Sequence, residues 1–216
     1  MRCDETVMRL YAVTDRAWTG EKTLYEQVEA ALKGGVTCVQ LREKDLPREE
    51  IREEAVQLCS LCRRYGVPFL INDDVELAVE CGADGVHVGQ KDMEAGRARA
   101  LLGENKILGV SARTVEQALE AQKNGADYLG VGAVFSTSTK PDAKALPHET
   151  LRDICDAVSI PVVAIGGIKK ENMLQLSGCG ADGVALVSAI FSAEDIESEC
   201  RTLRTMSEEM AKGVIR

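Results

Sequence analysis

The sequence predicts an α/β chain folded as one (β/α)8 TIM barrel, a single domain over residues 1–216, and three observations carry that expectation. Short β-rich runs alternate with longer amphipathic ones throughout, placing strands at 10–14, 38–43, 69–73, 85–89, 107–111, 128–134, 162–166 and 184–188. Each run is followed by apolar residues at helical spacing, such as Leu24, Val28, Ala31 and Leu32, or Ile51, Ala55, Leu58 and Cys62. Runs such as Ile107-Leu108-Gly109-Val110-Ser111 and Val162-Val163-Ala164-Ile165 are almost continuously apolar, as parallel strands covered on both faces must be. At 216 residues and 45% hydrophobic, the chain can bury one sizeable core and has no room for a second full domain. An open doubly wound sheet is the alternative, but eight βα units of similar size without a switch in connection pattern favour closure.

A weak repeat punctuates the series. Gly34-Gly35-Val36-Thr37, Cys81-Gly82-Ala83-Asp84, Asn124-Gly125-Ala126-Asp127 and Cys179-Gly180-Ala181-Asp182 each sit between a helical pattern and a strand, with glycine suited to a left-handed helix end. Thr114 with Gln117, and Ser192 with Asp195, read as capping boxes at helix starts.

Composition excludes several classes of function. The net charge of -9 gives nucleic acid no general attraction, and no apolar run approaches the roughly 20 residues that cross a bilayer. The eight cysteines are scattered through apolar stretches without a secretory signal pattern, so reduced thiols in the cytoplasm are expected. Cys59 and Cys62 form a C-x-x-C, but they fall within a helical pattern and no second ligand pair completes a zinc site. Small molecules are the expected partners, and oligomeric state stays open.

In this fold the chemistry lies at the C-terminal ends of the strands. The second strand leaves through Gln40-Leu41-Arg42-Glu43-Lys44, where alternation aims Gln40, Arg42 and Lys44 to one side. A surface charge run is the plainer reading, and the position at a strand exit speaks against it. Asp73 and Asp92 follow neighbouring strands about 4.8 Å apart, close enough for both carboxylates to meet one cation, and Mg2+ suits an all-oxygen site completed by substrate phosphate. Helix capping is the alternative for Asp73-Asp74 and for Asp92. The fifth strand ends at Ser111, with Arg113 behind it. After the sixth strand, Ser136-Thr137-Ser138-Thr139-Lys140 offers hydroxyls and one cation to a phosphate, or is simply a polar excursion. Gly166-Gly167 and Val187-Ser188 end the seventh and eighth strands, where barrels often bind phosphate, although a glycine pair also serves a tight turn. His87 reads as a hydrogen-bonded interior histidine and His148 as an exposed helix start; neither belongs to a triad.

Taken in order, Leu10-Tyr-Ala-Val-Thr-Asp-Arg16, Gln40 to Lys44, Leu70-Ile-Asn-Asp-Asp74, Gly85-Val-His-Val-Gly-Gln90 with Asp92, Gly109-Val-Ser111, Thr137 to Lys140, Ile165 to Ile168 and Val187-Ser188 resemble the thiamine-phosphate synthase family, also called thiamine-phosphate pyrophosphorylase. The resemblance covers nearly the whole chain. It implies a transferase that joins a hydroxymethylpyrimidine diphosphate to a thiazole phosphate, forming thiamine monophosphate and releasing pyrophosphate. By position it assigns Gln40, Arg42, Lys44, Asn72, Ser111 and Lys140 to the pyrimidine diphosphate, with Arg42, Lys44, Ser111 and Lys140 as the catalytic set. Thr137, Thr139, Gly167, Val187 and Ser188 go to the thiazole phosphate; Leu41, Glu43 and Ser138, inside the same motifs, complete the substrate-binding set. Asp73 and Asp92 are implied to hold Mg2+. One departure is Ser136, where the family commonly has proline. A related thiazole tautomerase is expected to have lost parts of the diphosphate and metal apparatus, which Lys44, Asp73, Asp92 and Lys140 retain. A sugar-phosphate isomerase needs an acid–base pair that the rim carboxylates serve poorly, and a non-catalytic thiamine-phosphate-binding barrel is the remaining alternative.

Overall fold

Eight runs of four to six residues form strands, and every one pairs in parallel with its sequence neighbour until β8 meets β1, so the barrel closes. The computed structural model describes residues 3–137 and 145–212. In chain order these hold β1 (Leu10–Val13), α1 (Leu24–Lys33), β2 (Cys38–Leu41), α2 (Arg48–Tyr65), β3 (Phe69–Asn72), α3 (Val75–Glu80), β4 (Gly85–Val88), α4 (Ala95–Leu102) and β5 (Ile107–Ala112). They continue with α5 (Val115–Lys123), β6 (Tyr128–Gly132), α6 (His148–Ala157), β7 (Val162–Ile165), α7 (Lys170–Met173), β8 (Gly183–Leu186), the short α8 (Ser188–Phe191) and α9 (Ile196–Met210).

Alternation along the strands divides the core in two. One layer, with Leu10, Ala12, Val39, Leu41, Ile71 and Val86, packs outward against helix residues such as Val28, Leu58 and Leu203. The other fills the barrel with Tyr11, Val13, Cys38, Leu70, Ile107, Tyr128, Val163 and Ala185. Seven strands stop one or two residues before the expected ends, where the rim begins, and β5 runs one residue further, to Ala112.

The weak repeat has a structural job at the opposite end. Thr37, Asp84, Asp127 and Asp182 each donate a backbone N–H to the carbonyl of Leu10, Phe69, Leu108 and Val162, all at 2.8 Å. The side-chain oxygen of each accepts the N–H of that same residue, at 2.8, 3.0, 2.7 and 2.7 Å. A two-bond clasp thus ties the base of β1 to β2, β3 to β4, β5 to β6 and β7 to β8. Gly82 and Gly125, at φ 69° and 88°, make the left-handed turns that lead into two of these clasps.

Two capping expectations change. Thr114 accepts from Gln117 N at 3.2 Å, but the Gln117 carboxamide turns to Arg113 N, one residue before the cap, so the box is not reciprocal. Ser192 ends α8, and Asp195 itself caps α9 by accepting from Ser198 N. A full capping box does form at α1, between Thr23 and Glu26.

Candidate active site

The C-terminal rim encloses a cavity of about 510 Å3. Among the described residues, Gln40, Arg42, Lys44, Asn72, Asp73, Asp92, Ser111, Thr137, Gly167, Val187 and Ser188 all line it. Ser138, Thr139 and Lys140 lie outside the described residues. Leu41 and Glu43 are brought elsewhere, for reasons of parity and charge. Leu41 is one step out of phase with Gln40 and sits in the outer core layer. Glu43 is held by Arg16 at 2.6 Å and accepts the backbone N–H of Lys44 and Asp45, so it shapes the strand exit without facing the cavity.

The acidic corner is built on an unusual backbone. Asp73 is the sole non-glycine among the described residues with positive φ, at 65°, a conformation Asp and Asn tolerate better than other side chains. Its Oδ2 receives Lys44 Nζ and Asn72 Nδ2, each at 2.6 Å. Asp92 accepts Gly89 N at 2.9 Å and meets the Asp73 carboxyl. Burial works to raise Asp73, but hydrogen bonds with Lys44 and Asp92 outweigh it and hold the carboxyl below its ordinary range. Burial, then the contact with Asp73, pushes Asp92 up. Two facing carboxyl groups beside Lys44 are oxygen donors of the kind Mg2+ takes. Among the described residues no group of three or more His, Cys, Asp or Glu that could hold a metal gathers.

Asp74, the next residue, has another task. Its side chain accepts Leu77 N at 2.8 Å and caps α3. Asp74→Ala is expected to cost about 1 kcal/mol in urea unfolding while kcat stays within two-fold of the parent. A large loss of kcat in a normally folded variant would move Asp74 into the chemistry.

Around the rest of the rim, Gln90 Nε2 donates to Ser111 O at 2.7 Å and Arg113 to Gly132 O at 2.7 Å. Arg42 reaches Asp15 at 3.2 Å. After β7, Gly166 and Gly167 adopt φ 99° and 67°; a Cβ on Gly167 would meet Ser136 O at 2.3 Å, so glycine lets the two loops close on each other. Lys91 and Lys169 also face the cavity, adding cations that strand-end reading did not single out as ligands.

The cavity floor holds what the sequence hid. Gln40 Nε2 donates to Tyr11 OH at 2.5 Å; Tyr11 OH meets Tyr128 OH at 2.9 Å; Tyr128 OH meets His87 Nδ1 at 2.8 Å; His87 Nε2 meets Ser111 Oγ at 2.9 Å. Tyr11 and Tyr128 are 1% and 0% exposed, and burial lifts both phenols well above their usual range, so both are neutral. The available signal was parity, since Tyr11, Gln40, His87 and Tyr128 all point inward. His148 opens α6 as expected, but is half-buried with its ring edge-on to Phe135.

Known proteins place this arrangement. Residues 10–190 match the family described as thiamine monophosphate synthase. A thiamine-phosphate synthase of Ruminiclostridium cellulolyticum is 54% identical over 194 residues, 90% of this chain and 92% of that one. That of Clostridium acetobutylicum is 49% identical over 195 residues, 90% and 92% of the two chains. A solved thiamine phosphate pyrophosphorylase from Pyrococcus furiosus superposes with a TM-score of 0.87 at 42% identity, covering 95% of this chain and 98% of the other. With a family match across most of its length and relatives at about half identity, the chain belongs to the thiamine monophosphate synthase family.

Proposed function

We propose that this protein joins 4-amino-2-methyl-5-(diphosphooxymethyl)pyrimidine to a thiazole phosphate, giving thiamine monophosphate and pyrophosphate, with Mg2+ held by Asp73 and Asp92. The observation that carries the reading is the meeting of Arg42, Lys44, Asp73 and Asp92 in one cavity of a chain belonging to this family. Bound there, Mg2+ would supply Lewis-acid stabilisation of the departing diphosphate. Arg42, Lys44 and, by its sequence position, Lys140 take up charge on the same oxygens. The methylene carbon–oxygen bond breaks with its electron pair going to oxygen, and the amino-substituted ring delocalises the pyrimidinylmethyl cation left behind. The thiazole nitrogen, oriented by a phosphate anchored at Thr137, Gly167, Val187 and Ser188, forms the new carbon–nitrogen bond with its lone pair. No protein base is needed, which frees His87 from that role. The thiols, none in a disulfide among the described residues, suit a cytoplasmic setting.

Mixing both substrates with the protein and Mg2+ is expected to release pyrophosphate and form thiamine monophosphate, and EDTA is expected to stop it. No pyrophosphate at any metal concentration would reject the synthase reading, and interconversion of thiazole tautomers instead would install the tautomerase.

A further inference from the structure

We propose that Tyr11, Tyr128 and His87 are positioning residues: they form one oriented hydrogen-bond chain across the barrel interior that sets together which groups Gln40 and Ser111 present to the pyrimidine. The inference rests on the assignment of Gln40 and Ser111 to that substrate. Five residues from β1, β2, β4, β5 and β6 are linked end to end by the four contacts already described.

Each phenol has a single hydrogen to donate, and a neutral imidazole has one donor and one acceptor nitrogen. When Gln40 donates to Tyr11, Tyr11 donates to Tyr128, and Tyr128 donates to Nδ1 of His87. The imidazole hydrogen then sits on Nε2 and is given to Ser111 Oγ, leaving the Ser111 hydroxyl hydrogen for the cavity. At the other end the Gln40 amide oxygen is the group left for the substrate. A reversal part-way along the chain leaves one hydroxyl hydrogen without an oxygen or nitrogen acceptor within it, at a phenol that is wholly buried, so the arrangement that uses every hydrogen runs in one direction throughout. The Cys38 thiol also touches the Tyr11 hydroxyl, a weak partner beside the oxygen and nitrogen contacts. The placement of Gln40 Nε2 toward Tyr11 points to the first orientation, acceptor at Gln40 and donor at Ser111. An aminopyrimidine carries the complementary pair, an exocyclic amino donor and a ring-nitrogen acceptor.

The orientation is read without turnover by 15N NMR of the free protein. The chain contains two histidines, so replacing His148 assigns the spectrum. His87 is expected as the neutral Nε2–H tautomer; an Nδ1–H tautomer or an imidazolium overturns the proposal. The coupling is read by kinetics. Gln40→Ala and Ser111→Ala, singly and together, are expected to be non-additive in kcat/KM by roughly five-fold or more, within the range seen for residues of one network. In a Tyr128→Phe background, which removes the middle hydroxyl at nearly constant volume, the same cycle is expected to become additive, with KM for the pyrimidine diphosphate raised and KM for the thiazole phosphate unchanged. Additivity in the parent, or equal coupling in the Phe background, overturns the chain. A parent protein that makes no pyrophosphate rejects the reaction instead, and leaves the NMR result standing.

Discussion

Asp73→Asn is expected to lower kcat by roughly 10²–10³-fold, the cost typical of removing one preorganised electrostatic contact to a transition state. Asparagine is the informative replacement because it keeps the shape and tolerates the left-handed backbone at φ 65°. Alanine there adds roughly 1–2 kcal/mol of backbone strain and mixes two effects. The Asn variant leaves Lys44 without its carboxylate and relieves Asp92 of the neighbour that helps push its carboxyl up. The midpoint of the Mg2+ activation curve is therefore expected to rise, while the thermal midpoint moves by a few degrees at most. Steady-state pyrophosphate release across a Mg2+ series measures both; a parental rate with a parental metal midpoint would remove Asp73 from the site.

The largest stability effect is expected at Gly109→Ala. A Cβ at this position in β5 would lie 2.2 Å from Tyr128 Cζ and 2.3 Å from its hydroxyl oxygen. That ring is wholly buried, and its hydroxyl is tied to both Tyr11 and His87, so it has no room to yield. Overpacking of this kind is expected to cost about 3 kcal/mol, lowering the melting temperature by roughly 6–12 °C for a chain of this size. Activity is expected to fall with it, since the displaced ring carries His87 and Ser111. Gly66→Ala is the contrasting case: unlike Gly109, Gly66 has positive φ, at 68°, and a Cβ there would face open space. There the loss is expected to be about 1–2 kcal/mol with kcat unchanged. Urea unfolding of the two variants decides; equal losses would mean that the barrel interior gives way more easily than its contacts imply.

The comparison of these two glycines also shows what was legible in the sequence. Strand order and closure were, because covered parallel strands advertise themselves as apolar runs separated by helical periodicity. The polar rim was legible for a related reason, since Lys44, Asp73 and Asp92 interrupt apolar runs where a strand should end. Leu41 and Glu43 were grouped with the rim by motif, although side-chain parity sends one outward and Arg16 claims the other. Tyr11 and Tyr128 were hidden because an aromatic residue in an apolar strand has the same appearance whether it packs inertly or carries a hydrogen bond. Gly109 was hidden with them, since the ring that needs its missing side chain comes from β6.

The four clasps at the foot of the barrel join strands in twos, not in a continuous hoop. A ring fastened this way has alternate joints: within each couple one backbone bond and one side-chain bond must break together, whereas the joints between couples lack this clasp, and at β4/β5 Lys106 Nζ donates to Ala83 O at 2.6 Å instead. Opening at the foot is thus expected first at the boundaries β2/β3, β6/β7 and β8/β1. Deuterium uptake at the amides of Leu10, Phe69, Leu108 and Val162 should consequently be among the slowest in the molecule, and the rim can exchange its chemistry without loosening the foundation on which it stands.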